Sequence, residues 1–135
     1  MRLLLAALAA ALIVPTALAE DTDHPLSKDE AEHVAGLSGF ALVVEKGPRT
    51  GMTYVLPNGN ITVGRHPESD IFLNDVTVSR QHCRFVVSEA GMAVEDSGST
   101  NGTYVNDARV DKADLNPGDE VLVGRFHFVV AHGDA

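Results

Sequence analysis

The sequence predicts an all-β sandwich of about ten to eleven short, mostly antiparallel strands. Three observations carry this. From Phe40 to Val130 the apolar residues fall in short runs rich in valine, isoleucine and phenylalanine. Clusters of Gly, Pro, Asn and Asp separate those runs. Nowhere in that stretch do apolar residues recur at helical spacing, and strands bounded by turn residues are the pattern such runs produce.

The first run, Phe40–Glu45, ends at the turn Lys46-Gly47-Pro48-Arg49-Thr50-Gly51, and Met52–Leu56 returns. Pro57-Asn58-Gly59-Asn60 is the next turn, before Ile61–Val63. A loop over His66–Asp70 leads to the short run Ile71–Leu73, and a second loop covers Asn74–Arg80. Cys83–Val87 alternates, which puts Cys83, Phe85 and Val87 on one face. Met92–Asp96 precedes the loop Ser97–Gly102. Thr103–Val105 turns through Asn106-Asp107 to Arg109-Val110, and Asn116–Asp119 is another turn. Glu120–Val123 and Phe126–Val130 complete the set. Val-Gly-Arg occurs at 63–65 and again at 123–125; the second copy joins two late strands, so Gly124 reads as a turn residue and Arg125 as a surface charge.

The chain has 135 residues, enough for one domain with a core that needs no staples. Its single cysteine, Cys83, excludes an internal disulfide. The formal charge is −9, and six of the 19 acids lie between Glu20 and Glu32. Nucleic acid is thereby excluded as a partner, because duplex binding needs a basic face and stacking of bases needs aromatic residues that are scarce here. An anionic ligand must instead be attracted locally, within a Debye length of ~8–10 Å.

The N-terminus reads as an export signal. Arg2 precedes the 12-residue apolar run Leu3–Val14, Pro15 breaks it, and Ala17-Leu18-Ala19 is a small-x-small cleavage site. The run is short for a spanning helix, which needs about 20 residues. Residues 1–19 are thus expected to be a signal peptide, or otherwise an apolar anchor. The membrane would be touched only through this segment and only if it stays uncleaved. Charge before and after it directs the domain outward, to the periplasm or medium; without a genuine signal the protein is cytoplasmic. Residues 20–38 read as an acidic, solvated linker with a helix of about two turns between a capping box at Ser27–Glu30 and Gly36. The domain proper is expected over 39–131, with 132–135 as a tail.

Chemistry concentrates on three breaks between strands: Gly64-Arg65-His66, Ser79-Arg80-Gln81-His82 and Ser99-Thr100-Asn101-Gly102-Thr103. Two guanidiniums, several hydroxyls and a carboxamide on neighbouring loops suit a phosphate and a peptide backbone. Each residue also has a plainer reading. Arg65 can pair with Glu68 or Asp70, Ser79 can cap a turn, and Ser-Thr-Asn-Gly is ordinary turn chemistry. A glycine before Arg65 permits backbone angles that other residues avoid. His82 and Cys83 are adjacent on a strand and face opposite ways, so they make a poor nucleophile pair.

In this order and at spacings of 14 residues (Arg65 to Ser79) and 22 residues (Ser79 to Asn101), Gly-Arg, Ser-x-x-His and Asn-Gly resemble the signature of the forkhead-associated (FHA) domain. The resemblance spans roughly Phe40 to Val130 and implies an FHA-type β-sandwich that binds phosphothreonine peptides. It makes Arg65, Ser79 and Thr100 phosphate ligands, with Ser99 assisting, Arg80 a contact to the phosphate or to the peptide beyond it, and Asn101 a clamp on the peptide backbone. Gly64, His82 and Gly102 become structural supports, with Gly102 supplying a positive φ. A phosphothreonine-containing protein or peptide is the implied partner, and Thr77 or Val78 lies on the loop that would receive the threonine methyl.

Small single-FHA regulators of the glycogen accumulation regulator type are similar, and they add a tail switch. Here Thr22, flanked by Asp21 and Asp23, is the candidate regulatory phosphosite, with the protein's own tail as a second partner. No cofactor is implied, and the six histidines at 24, 33, 66, 82, 127 and 132 show no metal-ligand spacing. No hydrolase or nucleotide-binding motif is present, so an enzyme is not expected. The competing expectation is a phosphate-independent interaction domain of an exported envelope protein.

Overall fold

A computed structural model describes residues 28–134. One short helix, α1 (Lys28–Glu32), precedes eleven strands. These are β1 (Ser38–Lys46), β2 (Thr53–Leu56), β3 (Gly59–Gly64), β4 (Ile71–Phe72), β5 (Cys83–Ser88) and β6 (Gly91–Asp96), then β7 (Thr103–Val105), β8 (Ala108–Val110), β9 (Lys112–Leu115), β10 (Glu120–Val123) and β11 (Phe126–Asp134). They form two sheets, ordered β2-β1-β11-β10-β7-β8 and β4-β3-β5-β6-β9. All pairings are antiparallel except β3 with β4. The sandwich expected from the sequence is the one observed.

Alternation builds the core. In β5, Cys83, Phe85 and Val87 point inward while Arg84 and Ser88 point out. Facing residues of the other sheet, among them Leu42, Val44, Val121 and Phe128, close the layer. Each large side chain removed from water in this way contributes roughly 1.5–3 kcal/mol. Asn106 and Asp107 both take positive φ (49° and 71°), which matches the twist of the two-residue hairpin joining β7 to β8.

Strand register gathers the three motif-bearing loops. Val63 pairs with Cys83 and Cys83 with Asp96, so the end of β3, the start of β5 and the end of β6 lie in one row. The segments leaving that row are the β3–β4, β4–β5 and β6–β7 loops. They are therefore neighbours although 37 residues separate Arg65 from Gly102.

The structure differs from the sequence reading at both ends of the domain. The stretch read as a solvated linker packs from α1 onward: Ala31, Val34 and Leu37 are buried against Ala41, Val43 and Ala131 on the outer face of the β1–β11 pair. The Val34 N–H donates to the His132 carbonyl at 3.0 Å. Gly133 has no room for a side chain, since a Cβ there would sit 1.9 Å from the Leu37 carbonyl oxygen. Likewise residues 132–134 of the expected tail are strand: β11 continues to Asp134, paired with Ser38, and the His132 ring lies tilted against Phe40 with ring centroids 4.6 Å apart. The strand β9 was not expected either. Its charged sequence, Lys-Ala-Asp-Leu, is tolerated at a sheet edge, where Leu115 is buried while Lys112 and Asp114 face water. The signal peptide or anchor (1–19) and Thr22 lie outside the described residues.

Candidate functional site

Gly64 closes β3 and meets the β4–β5 loop at very short range. A Cβ on it would lie 2.1 Å from the Arg80 carbonyl oxygen. Its φ is not in the left-handed region, so the glycine is required by this close approach rather than by unusual backbone angles. Two backbone bonds continue the contact, from Arg65 N–H to the Ser79 carbonyl (2.9 Å) and from His66 N–H to the Arg80 carbonyl (3.2 Å). Gly64→Ala must push strand and loop apart. Overpacking of that kind costs on the order of 2 kcal/mol, a drop of about 8–16 °C in Tm for a domain of this size, which a thermal melt would read.

His82 joins the second loop to the third. It is fully buried; its Nδ1 accepts from the Ser79 N–H at 3.0 Å and its Nε2 lies 2.9 Å from the Gly102 carbonyl. A ring nitrogen that accepts from an N–H carries no proton, so Nε2 holds it and donates to Gly102. Burial holds the imidazole below its ordinary pKa, against the opposing pull of the Gly102 bond and the Asp96 charge. The ring is a neutral strut between the β4–β5 and β6–β7 loops. Cys83 beside it is buried too, and burial pushes its thiol up to about 12, which excludes it as a nucleophile.

The third loop is organised by Asp96. Its Oδ2 accepts from the N–H groups of Gly98 and Ser99, and its Oδ1 from the hydroxyls of Ser99 and Thr103. Burial works to raise this carboxyl, but those donors outweigh it and the net shift is downward. Ser99, expected to assist at the phosphate, is instead buried, its oxygen also accepting from the Gly102 N–H at 3.0 Å. Gly102 takes the positive φ expected of it, 89°.

Cross-loop bonds complete the unit. The Thr100 N–H donates to Ser79 Oγ at 3.0 Å, and Asn101 Nδ2 donates to the Thr77 carbonyl at 2.9 Å. Arg65 Nε donates to the Val78 carbonyl at 3.1 Å. Arg65, Ser79, Arg80, Thr100 and Asn101 thus stand on loops bonded directly to one another, Ser79 half-buried and the other four exposed. Val78 is core, and the Thr77 hydroxyl is held by Asp75. A groove of about 470 Å³ opens beside the loops, lined in part by His66, Ser69, Gln81 and Ser97.

The electrostatics separate this end from the rest of an acidic molecule. Among the described residues, Arg49 bonds Tyr54 and the Phe72 carbonyl, Arg84 pairs with Glu95 at 2.6 Å, and Arg125 pairs with Asp75 at 2.7 Å. Arg65 forms no ion pair with Glu68, Asp70 or any other described acid, and only its Nε is engaged. Arg80 and Arg109 make neither an ion pair nor a side-chain hydrogen bond among the described residues. Three uncommitted guanidiniums therefore share one end of the sandwich.

The sequence reading missed the scaffold beneath the β4–β5 loop. Arg125, read as a plain surface charge, donates through Nε and Nη2 to Asp75 Oδ1, while its backbone N–H bonds Thr77 Oγ1 at 3.2 Å. The Arg125 bond, aided by Thr77, lowers the Asp75 carboxyl to about 2. The Asp-x-Thr spacing was a local sign of this turn. Its pairing with a residue 50 positions away left no local signal.

Comparison with known proteins agrees with the geometry. A family model described as FHA domain matches residues 61–124. The glycogen accumulation regulator GarA of Mycolicibacterium smegmatis is 43% identical over 118 residues, covering 84% of this chain and 75% of the relative. That share exceeds what residues 39–135 hold, so the likeness extends into the acidic segment upstream. The oxoglutarate dehydrogenase inhibitor of Corynebacterium efficiens is 49% identical over 94 residues, 70% of this chain and 66% of the relative. Among solved structures, one from a study of phosphothreonine-dependent FHA domain interactions superposes with a TM-score of 0.64 at 32% identity, covering 70% of this chain and 96% of that one.

Proposed function

The chain belongs to the FHA domain family, and from that membership we propose that it docks onto proteins carrying a phosphorylated threonine, as a regulatory adaptor that catalyses no reaction. The observation that carries this is the uncommitted Arg65 and Arg80 guanidiniums beside Ser79. Ser79 Oγ accepts from Thr100, which leaves its own proton for a phosphate oxygen. In this reading Arg65, Ser79, Arg80 and Thr100 hold the phosphate, whose second pKa near 6 makes it largely a dianion at neutral pH. Asn101, already donating to a backbone carbonyl, holds the peptide chain. Paired peptides with phosphothreonine or threonine, titrated by fluorescence anisotropy, test it. Binding is expected for the phosphorylated peptide alone; equal binding of both would favour a phosphate-independent interaction domain.

A tail switch follows from the same site. Phosphate on Thr22 would compete for it from within the chain, which the likeness to regulators upstream of the domain supports. The chain phosphorylated at Thr22 is then expected to bind the external peptide more weakly than the unmodified chain. For location we propose export, with residues 1–19 removed. Intact mass of the protein from its cellular fraction is expected to give an N-terminus at Glu20, and a retained Met1 in the cytoplasm would overturn it.

A further inference from the structure

Arg109 is a third guanidinium at this end that no ligand role yet uses. It stands on β8 opposite Tyr104, one strand from Thr103. Its side chain fills the space a side chain at Gly102 would need. A Cβ on Gly102 would lie 2.7 Å from Arg109 Nε, 3.0 Å from Cζ and 3.1 Å from Cδ. The guanidinium is thus laid against the backbone immediately after Asn101, and glycine at 102 both allows the positive φ and makes the room.

The charge balance around it is unusual. The chain carries nine more acids than bases, and Asp107 and Asp111 lie two residues to either side of Arg109. Yet none of the described carboxylates comes within ion-pair distance. Arg109 is exposed, lies against the Gly102 backbone and has its planar fork unspent, a geometry able to grip a carboxylate. Arg65 and Arg80 sit on the β3–β4 and β4–β5 loops, whereas Arg109 lies beside Gly102, the residue next to the Asn101 carboxamide proposed to hold the peptide chain.

Building on the phosphothreonine reading above, we propose that Arg109 selects partners with an acidic residue a short distance along the chain from the phosphothreonine, by a bidentate guanidinium–carboxylate contact. Such contacts are planar and directional, so Lys would reproduce the charge but not the full preference. The pair forms at an exposed rim, so salt screening limits it and the gain is modest.

The test uses the full chain and a set of phosphothreonine peptides that differ only in which flanking alanine is replaced by glutamate. One replacement is expected to tighten binding on the order of fivefold over the all-alanine peptide, the size of a partly screened charged pair. In Arg109→Gln that ratio is expected to fall to about one, with Arg109→Lys between the two and added salt shrinking the ratio in the parent. The melt of Arg109→Gln serves as the check on folding. A ratio unchanged by Arg109→Gln, or no glutamate position giving a gain, overturns the selectivity while leaving phosphothreonine binding intact. Failure of every phosphopeptide, the all-alanine one included, overturns the underlying reading and this one with it.

Discussion

Arg65→Ala is expected to weaken binding of a phosphothreonine peptide at least tenfold. The terminal nitrogens of Arg65 have no partner among the described residues, so they are available to grip phosphate oxygens. Charge-assisted hydrogen bonds contribute about 1.5–3 kcal/mol each, and 1.4 kcal/mol is a tenfold change in affinity. The effect on folding is smaller. Only the Nε bond to the Val78 carbonyl is lost, about 0.5–1.5 kcal/mol. Isothermal titration beside a thermal melt separates the two effects. An affinity within twofold of the parent would remove Arg65 from the ligand set.

His82→Ala is expected to damage both stability and binding. The ring is fully buried and bridges Ser79 to Gly102. Its loss leaves a cavity, an N–H and a carbonyl without partners, together roughly 3 kcal/mol. For a domain of this size that is a fall of about 12–24 °C in Tm. Binding falls too, because Ser79 and Asn101 are no longer held in register. A pH dependence goes with it. The unfolded chain takes up the proton near the ordinary value of 6.5, while burial lets the folded chain take it up only at lower pH. A lowered pKa in the folded state means that the unfolded chain binds more protons in that window. Stability is therefore complete above about pH 6.5 and declines as pH drops below it. The parent should lose more Tm between pH 8 and pH 5 than His82→Ala does, and equal losses would contradict this origin.

Much of this was legible in the sequence, for identifiable reasons. Alternation in Cys83–Val87 and the Gly, Pro and Asn turns fixed the strands, and short loops kept the motif residues near strand ends whose pairing brings them together. The structural role of His82 was implied by the family resemblance alone, since no local pattern announces that its buried ring bridges Ser79 and Gly102. What was not legible depends on distant partners. Asp75 and Arg125 meet across 50 positions, and Arg109 meets Gly102 only once the β7–β8 hairpin has folded. Ser99 resembles a ligand in every local respect, yet Asp96 claims its hydroxyl. Ala31, Val34 and Leu37 are three modest apolar residues among acids, so their burial against β1 and β11 was hidden by composition.

The central claim is that one phosphate-bearing peptide touches all three loops at once. Amide chemical shifts of the labelled protein, followed during titration with a phosphothreonine peptide, address it most directly. Cross-peaks of residues 64–66, 77–82 and 99–103 are expected to move together and saturate at one peptide per chain, while those of 31–37 on the far face stay in place. Shifts centred on the 31–37 face, or on one loop without the other two, would contradict it.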